Sequence, residues 1–159
     1  MSTFLRATEF LCLSLWLGSD AFLSFVVAPG AFRILSNRNQ AGAIVGHSLN
    51  VMHIGGIACG LVILLARLAR TKTFASLATP AALCVVLMIA LTAVSQLAVS
   101  PTMAALRVQM GSLQTTSADS PLLAEFTRLH AISVSLESGV LLAGLAGIYS
   151  MTHELTAKI

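Results

Sequence analysis

The fold is decided by residues 73–106, TFASLATPAALCVVLMIALTAVSQLAVSPTMAAL, which form a 34-residue stretch without Asp, Glu, Lys or Arg. A helix that crosses the hydrocarbon core of a bilayer needs about 20 mostly apolar residues, so this stretch predicts a membrane span. Pro80 lies near its start and Pro101 near its end. Because proline disrupts a helix interior, we predict a span over residues 79–100, followed by a kink and a short surface helix.

Three further apolar stretches predict membrane spans at residues 7–28, 47–66 and 129–152. The first of these is expected to end at Pro29-Gly30, because this pair of residues stops a helix. No Asp, Glu, Lys or Arg occurs between Arg38 and Arg67. That run is longer than the membrane core requires, so we place its first residues, 41–46, in the membrane interface.

Residues 111–121, GSLQTTSADSP, are polar and rich in turn-forming residues, and they predict the longest loop. Four spans and the loops that join them account for the chain without a second domain. The sequence therefore predicts an all-α fold, with a single transmembrane domain over residues 1–159 that forms an integral membrane four-helix bundle.

The composition excludes most soluble protein classes. Only 9% of the 159 residues are charged, 57% are hydrophobic, and the mean hydropathy is +0.90. A soluble domain carries about 25% charged residues, because its surface must be hydrated. Nine Lys and Arg against six Asp and Glu give a net charge of +3, too sparse for a patch that binds phosphates. We therefore expect the lipid bilayer as a partner and no nucleic acid.

The distribution of positive charge predicts the orientation in the membrane. With four spans, both termini and the connection between spans two and three lie on one side. That side carries Arg6, Arg67, Arg70, Lys72 and Lys158, and the other side carries Arg33, Arg38, Arg107 and Arg128. Because cytoplasmic loops are enriched in Lys and Arg, we predict cytoplasmic termini.

Small residues at a spacing of four indicate where helices approach closely. The second predicted span contains two such pairs, and the fourth contains a row of three: Gly42 and Gly46, Gly56 and Gly60, and Gly139, Ala143 and Gly147. These ridges serve either packing within the bundle or contact with another chain. A homo-oligomer or a larger membrane complex therefore stays open.

Two carboxylates, Asp20 and Glu137, lie within predicted spans. A charge at membrane depth costs at least about 2.5–3.5 kcal/mol, so such residues usually face the protein interior. Counted from the nearest predicted rim at about 1.5 Å per residue, both carboxylates lie at nearly the same depth. Helical periodicity places further polar residues on the same interior faces. We call the whole set the polar seam: Asp20, Asn50, His53, Gln96, His130, Ser133 and Glu137.

The polar seam has two interpretations. In the first, its members form hydrogen bonds between helices and hold the bundle in register. In the second, they form a site for a proton, a metal ion or a haem, with His53 and His130 as the candidate ligand pair. No GxSxG, HExxH, P-loop or GxGxxG motif occurs, so we name no catalytic residue and favour a non-enzymatic protein. The identity of a cofactor, haem b or a metal ion, stays open.

Several strings of the sequence resemble one family of small bacterial four-helix membrane proteins. They are WLG at residues 16–18, FVVAP at 25–29, AF at 31–32, AGAIVG at 41–46 and FTRLHAISV at 126–134, with Pro101 and Leu106-Arg107 between them. The family is a domain of unknown function related to eukaryotic transmembrane protein 205. The resemblance implies a four-helix membrane fold and marks Pro29, Arg107, Arg128 and His130 as family features. Asp20 and Glu137 depart from the family pattern and are particular to this chain.

We therefore expect a non-enzymatic accessory or homeostasis component that acts through helix–helix contacts. The first alternative is a haem- or metal-binding, proton-coupled redox protein that uses the intramembrane histidines and carboxylates. The second alternative is a small transporter that assembles as an oligomer.

Overall fold

The computed structural model of the protein describes residues 2–111 and 115–156. The described residues are 91% helical and contain no strand. Lys158 and part of the predicted loop at residues 111–121 lie outside the described residues. Six α-helices, two π-helical turns and one 3₁₀ turn follow one another: α1 Ser2–Phe22, a π turn Leu23–Val27, α2 Ala28–Ile34, α3 Arg38–Thr71, a 3₁₀ turn Phe74–Ala78, α4 Pro80–Val94, a π turn Ser95–Val99, α5 Ser100–Met110 and α6 Pro121–Thr156.

These elements join into four long rods that we call spans 1 to 4: Thr3–Ile34, Arg38–Thr71, Pro80–Met110 and Pro121–Thr156. Each span is long and apolar enough to cross a membrane. The predicted all-α four-helix bundle is therefore confirmed, and the chain is an integral membrane protein. Large apolar side chains on the outside of every span, such as Phe25 and Leu97, are exposed in the way that contact with lipid requires.

The predicted end of span 1 at Pro29-Gly30 is wrong, because the helix continues to Ile34. Proline has no N–H to donate, and here it follows a π turn at the junction with α2. The π turn before it supplies the change of register, since the Ala28 N–H donates to the Leu23 carbonyl five residues back. The π turn and the proline after it together let the helix continue past Pro29-Gly30.

Pro101 follows the same pattern in span 3. The Ser100 N–H donates to the Ser95 carbonyl, and Pro101 lies in the first turn of α5. The predicted short surface helix is therefore a continuation of span 3, which buries Met103 and Leu106 against the rest of the bundle. It does not leave the span after the proline.

The helix of span 2 begins at Arg38, because the Asn37 side chain caps it by accepting hydrogen bonds from the Asn39 and Gln40 N–H groups. The predicted membrane crossing at residues 47–66 lies within this longer helix and stays a prediction. Span 1 packs most extensively on span 2, and span 3 on span 4. Spans 2 and 3 share a smaller contact, and spans 1 and 4 the smallest of the four. The core between them is apolar and close-packed, with these side chains fully buried: Leu13, Trp16, Ile63, Val85, Met88 and Val140.

Candidate functional site

His53 is the centre of the polar site. It lies on span 2 and is 0% exposed. Its Nδ1 lies 2.8 Å from Gln96 Oε1 on span 3, and its Nε2 lies 2.8 Å from Glu137 Oε1 on span 4. The Gln96 amide oxygen can only accept, so Nδ1 donates to it. His53 Nε2 and Glu137 then share one proton, either as a neutral pair or as an ion pair.

Two further side chains hold these partners in place. Ser95 Oγ donates to Glu137 Oε1 at 3.1 Å, so this carboxyl oxygen has two partners on two other spans. Gln96 Nε2 donates to Asn50 Oδ1, which orients the amide so that its oxygen points to His53. The network therefore connects spans 2, 3 and 4 at one depth of the bundle.

Asp20 brings span 1 to the same site. Its side chain is 0% exposed, and its Oδ1 accepts a hydrogen bond from Ser24 at 3.2 Å. The carboxyl group also interacts electrostatically with Glu137 and His53. Three buried oxygen atoms around the site have no hydrogen-bond partner among the described residues, and they come from three different spans: Asp20 Oδ2, Thr92 Oγ1 and Glu137 Oε2.

Most of the predicted polar seam comes together in the structure, and one member does not. Asp20, Asn50, His53, Gln96 and Glu137 form the site just described. Ser133 is buried on the same face of span 4 as Glu137, one turn away. His130, by contrast, is exposed at the outside of span 4. Ser95, which is not a member of the predicted polar seam, bonds Glu137 directly.

The residues present do not fit the predicted ligand pair of His53 and His130. Both ring nitrogens of His53 already have side-chain partners, so neither is available to a metal or a haem iron. The exposed His130 does not share the interior with it. Across the residues that the structure covers, no group of three or more His, Cys, Asp or Glu side chains could hold a metal ion.

A second polar cluster lies at the end of the bundle that carries the termini, and the sequence analysis used its arginines only for topology. Arg67 is 2% exposed and pairs with Glu154, while its Nη1 lies 3.7 Å from Glu9 Oε2. Arg70 Nε donates to Glu9 Oε1 at 2.9 Å. We call Glu9, Arg67, Arg70 and Glu154 the terminal ion-pair cluster. It joins spans 1, 2 and 4, and the position of Glu9 on the buried face of span 1 is the signal that could have revealed it.

The small residues of the predicted ridges are covered from within the chain. The Trp16 indole packs on Gly56 and Gly60, Leu91 lies against Gly139, and Cys84 and Leu13 lie against Gly147. Arg107 covers Gly42 and Gly46, donates to the Gly42 carbonyl at 2.8 Å, and stands over the Phe126 ring at 5.3 Å. The close approach that these glycines allow is therefore used for packing inside the bundle.

The fold and this site define the protein as an integral membrane four-helix bundle with a buried polar network. The chain belongs to the family described as Domain of unknown function (DUF4149), whose model matches residues 11–112. The matched part contains Asp20, His53 and Gln96, and it ends before span 4, which supplies Glu137. No curated protein and no solved structure matches the chain.

Proposed function

We propose that the protein is a non-enzymatic membrane component, with an accessory or homeostasis role, that acts through helix–helix contacts. The observation that carries this proposal is the use of both His53 nitrogens and of Glu137 Oε1 in bonds between spans. Such a network holds three helices in one register, as expected of a protein that presents a fixed outer surface to a partner in the membrane. The partner is a second copy of the chain or another membrane protein.

The location belongs to the same proposal. Positive residues at the end that carries the termini support cytoplasmic termini, and the resemblance to small bacterial membrane proteins supports a bacterial inner membrane. The quoted strings of spans 1, 2 and 4 support the relation to transmembrane protein 205 that the resemblance implies.

Photo-crosslinking from the lipid-facing side of each span tests the helix-contact function. A photoreactive residue would replace one exposed apolar residue per span: Leu15, Ile54, Leu87 and Leu142. In intact membranes, a partner that docks on one face gives a discrete adduct from one span or from two neighbouring spans. A complete lack of discrete adducts from all four positions would contradict the proposal.

A small oligomeric transporter is the second candidate, favoured by the two intramembrane carboxyl groups with unpartnered oxygens. Such groups often mark the path of a proton or an ion. Flux measured in liposomes would support it if Glu137→Gln abolishes the flux and Ser138→Ala, a change at the neighbouring exposed residue, preserves it. If the wild-type protein carries no flux above that of empty liposomes, the transporter function is wrong.

A haem- or metal-binding redox function is the candidate that the geometry supports least, because His53 has no free ring nitrogen. The absorbance spectrum and metal content of the protein purified in detergent test it. A haem band that disappears in His130→Ala would reverse this ranking. Colourless protein without bound metal would remove the candidate.

A further inference from the structure

Spans 1 and 3 repeat the same local structure. The π turn Ser95–Val99 lies 72 residues after the π turn Leu23–Val27, and a proline follows each turn at the same distance. The buried positions follow the same offset. Each buried residue of the first group has a buried counterpart in the second: Leu13, Trp16, Asp20 and Leu23 correspond to Val85, Met88, Thr92 and Ser95.

Spans 2 and 4 repeat as well, with an offset of 84 residues. At this offset His53 corresponds to Glu137, and the buried Gly60 corresponds to the buried Gly144. Each glycine also receives a side chain from the first span of the other hairpin, Ile89 against Gly60 and Leu17 against Gly144, and Leu17 and Ile89 are themselves 72 residues apart. The second offset is larger mainly because α5 and the connection after it are together longer than α2 and the connection after that helix.

The chain is therefore built as two helical hairpins, spans 1–2 and spans 3–4. Within each hairpin the two spans make the most extensive contacts of the fold. His53 and Glu137, which occupy equivalent positions in the two hairpins, meet each other at 2.8 Å. Two equivalent residues in direct contact lie on the axis that relates the repeats. In membrane proteins built from repeats, sites for coupling ions lie near mid-membrane at the interface between the repeats.

We propose that the interface between the two hairpins is a proton-binding site in which Asp20 carries an exchangeable proton next to the His53–Glu137 pair. The charge of the site supports this assignment. Span 1 contributes Asp20, span 2 His53 and span 4 Glu137, while span 3 contributes only the neutral side chains of Thr92, Ser95 and Gln96. With the proton shared by His53 and Glu137, the site is neutral only when Asp20 holds a proton of its own.

One unpartnered oxygen of a fully buried side chain, Asp20 Oδ2, marks where this proton is held. Asp20 is 0% exposed and Thr92 is 1% exposed, and Asp20 Oδ2 and Thr92 Oγ1 have no hydrogen-bond partner in the described chain. Asp20 and Thr92 also occupy equivalent positions of spans 1 and 3. Loss of the Asp20 proton leaves one buried negative charge, which is costly in lipid and therefore favours recapture. A component that only makes helix contacts needs no exchangeable proton, so this inference goes beyond the proposed function.

The only tryptophan of the chain is a built-in reporter for this proton. Trp16 lies one helical turn from Asp20 on the same buried face and is 1% exposed. Its fluorescence in detergent or lipid is expected to change with pH as a titration of a single proton. Asp20→Asn is expected to abolish this change. Glu125→Gln, the same type of change at an exposed acid near the start of span 4, is expected to preserve it.

The proton assignment is overturned if the wild-type fluorescence is independent of pH or if Asp20→Asn titrates as the wild type does. It is also overturned if the signal follows the Na⁺ concentration at constant pH, because the site would then hold a metal cation. Should Asp20→Asn fail to fold, Glu137→Gln decides the question. Loss of the acid that shares the site with Asp20 must move the midpoint of the titration, and an unchanged midpoint rejects the shared site. None of these results depends on a crosslinked partner, so the helix-contact function stands or falls separately.

Discussion

A pair of neighbouring glycines in span 2 gives the sharpest test of the packing described above. A Cβ atom at Gly56 would lie 2.8 Å from Trp16 Cδ1 and closer still to Nε1. The Trp16 ring is fully buried among the core residues, so it has little room to move. Gly55 has no atom within 4 Å of its would-be Cβ. Gly56→Ala and Gly55→Ala therefore make the same chemical change in two different environments.

The expected magnitude follows from two opposing effects. Replacement of glycine by alanine inside a helix stabilises it by about 0.5–1 kcal/mol, and both variants gain this. An extra carbon in a close-packed core costs about 1–3 kcal/mol, and only Gly56→Ala incurs it. The free energies of unfolding of the two variants should differ by about 1–3 kcal/mol, with Gly55→Ala the more stable. This difference corresponds to roughly 5-fold to 150-fold in the unfolding equilibrium constant.

Reversible unfolding in mixed detergent micelles, followed by far-UV circular dichroism, measures this difference. Trp16 fluorescence in the folded state gives an independent readout, because only Gly56→Ala should displace the indole. Equal stabilities for the two variants, together with unchanged Trp16 emission, would refute the packing of span 1 on span 2 through Gly56.

Two further predictions concern the polar clusters. His53→Ala leaves the Glu137 carboxyl buried without its partner and is expected to lower the free energy of unfolding by about 3 kcal/mol. His130→Ala, at an exposed position, is expected to leave the free energy of unfolding nearly unchanged. Equal losses in both variants would speak against the assignment of His53 as the buried histidine. Arg67→Ala removes the centre of the terminal ion-pair cluster and is expected to cost a similar amount, about 3 kcal/mol, whereas Arg33→Ala removes an exposed charge with little effect. Thermal unfolding in detergent measures the second pair, and an Arg67→Ala variant as stable as the wild type would show that the cluster does not hold spans 1, 2 and 4 together.

Much of the candidate site follows from helical periodicity, because a fixed rotation per residue assigns each side chain to a face of its own helix. Asp20, His53 and Glu137 were placed on interior faces in this way, and the structure brings them together. The same periodicity placed His130 on the Glu137 face, yet it is exposed. The rotation of a helix against its neighbours depends on which side chains pack between them, and a single helix does not contain that information.

The terminal ion-pair cluster shows the same gap between local and tertiary information. Arg67 and Arg70 lie at the end of a charge-free run, where positive residues are expected for topology alone. Their pairing with Glu9 and Glu154 depends on the ends of three spans lying side by side. Opposite charges at the same membrane depth indicate such pairing. In this chain the position of Glu9 on the buried face of span 1 is that indication.

The four helices and their place in a membrane follow from composition and from the positions of the charges, because lipid penalises each charge and long uncharged runs are evident before any fold is known. These features do not determine how the helices end or meet. Pro29 and Pro101 fail to stop their helices because a π turn before each one shifts the hydrogen-bond register. His53 reaches Glu137 because two hairpins close around one axis, with Trp16 against Gly56 setting the approach of spans 1 and 2. Those contacts join residues far apart in the chain, so they depend on how the four helices pack against one another.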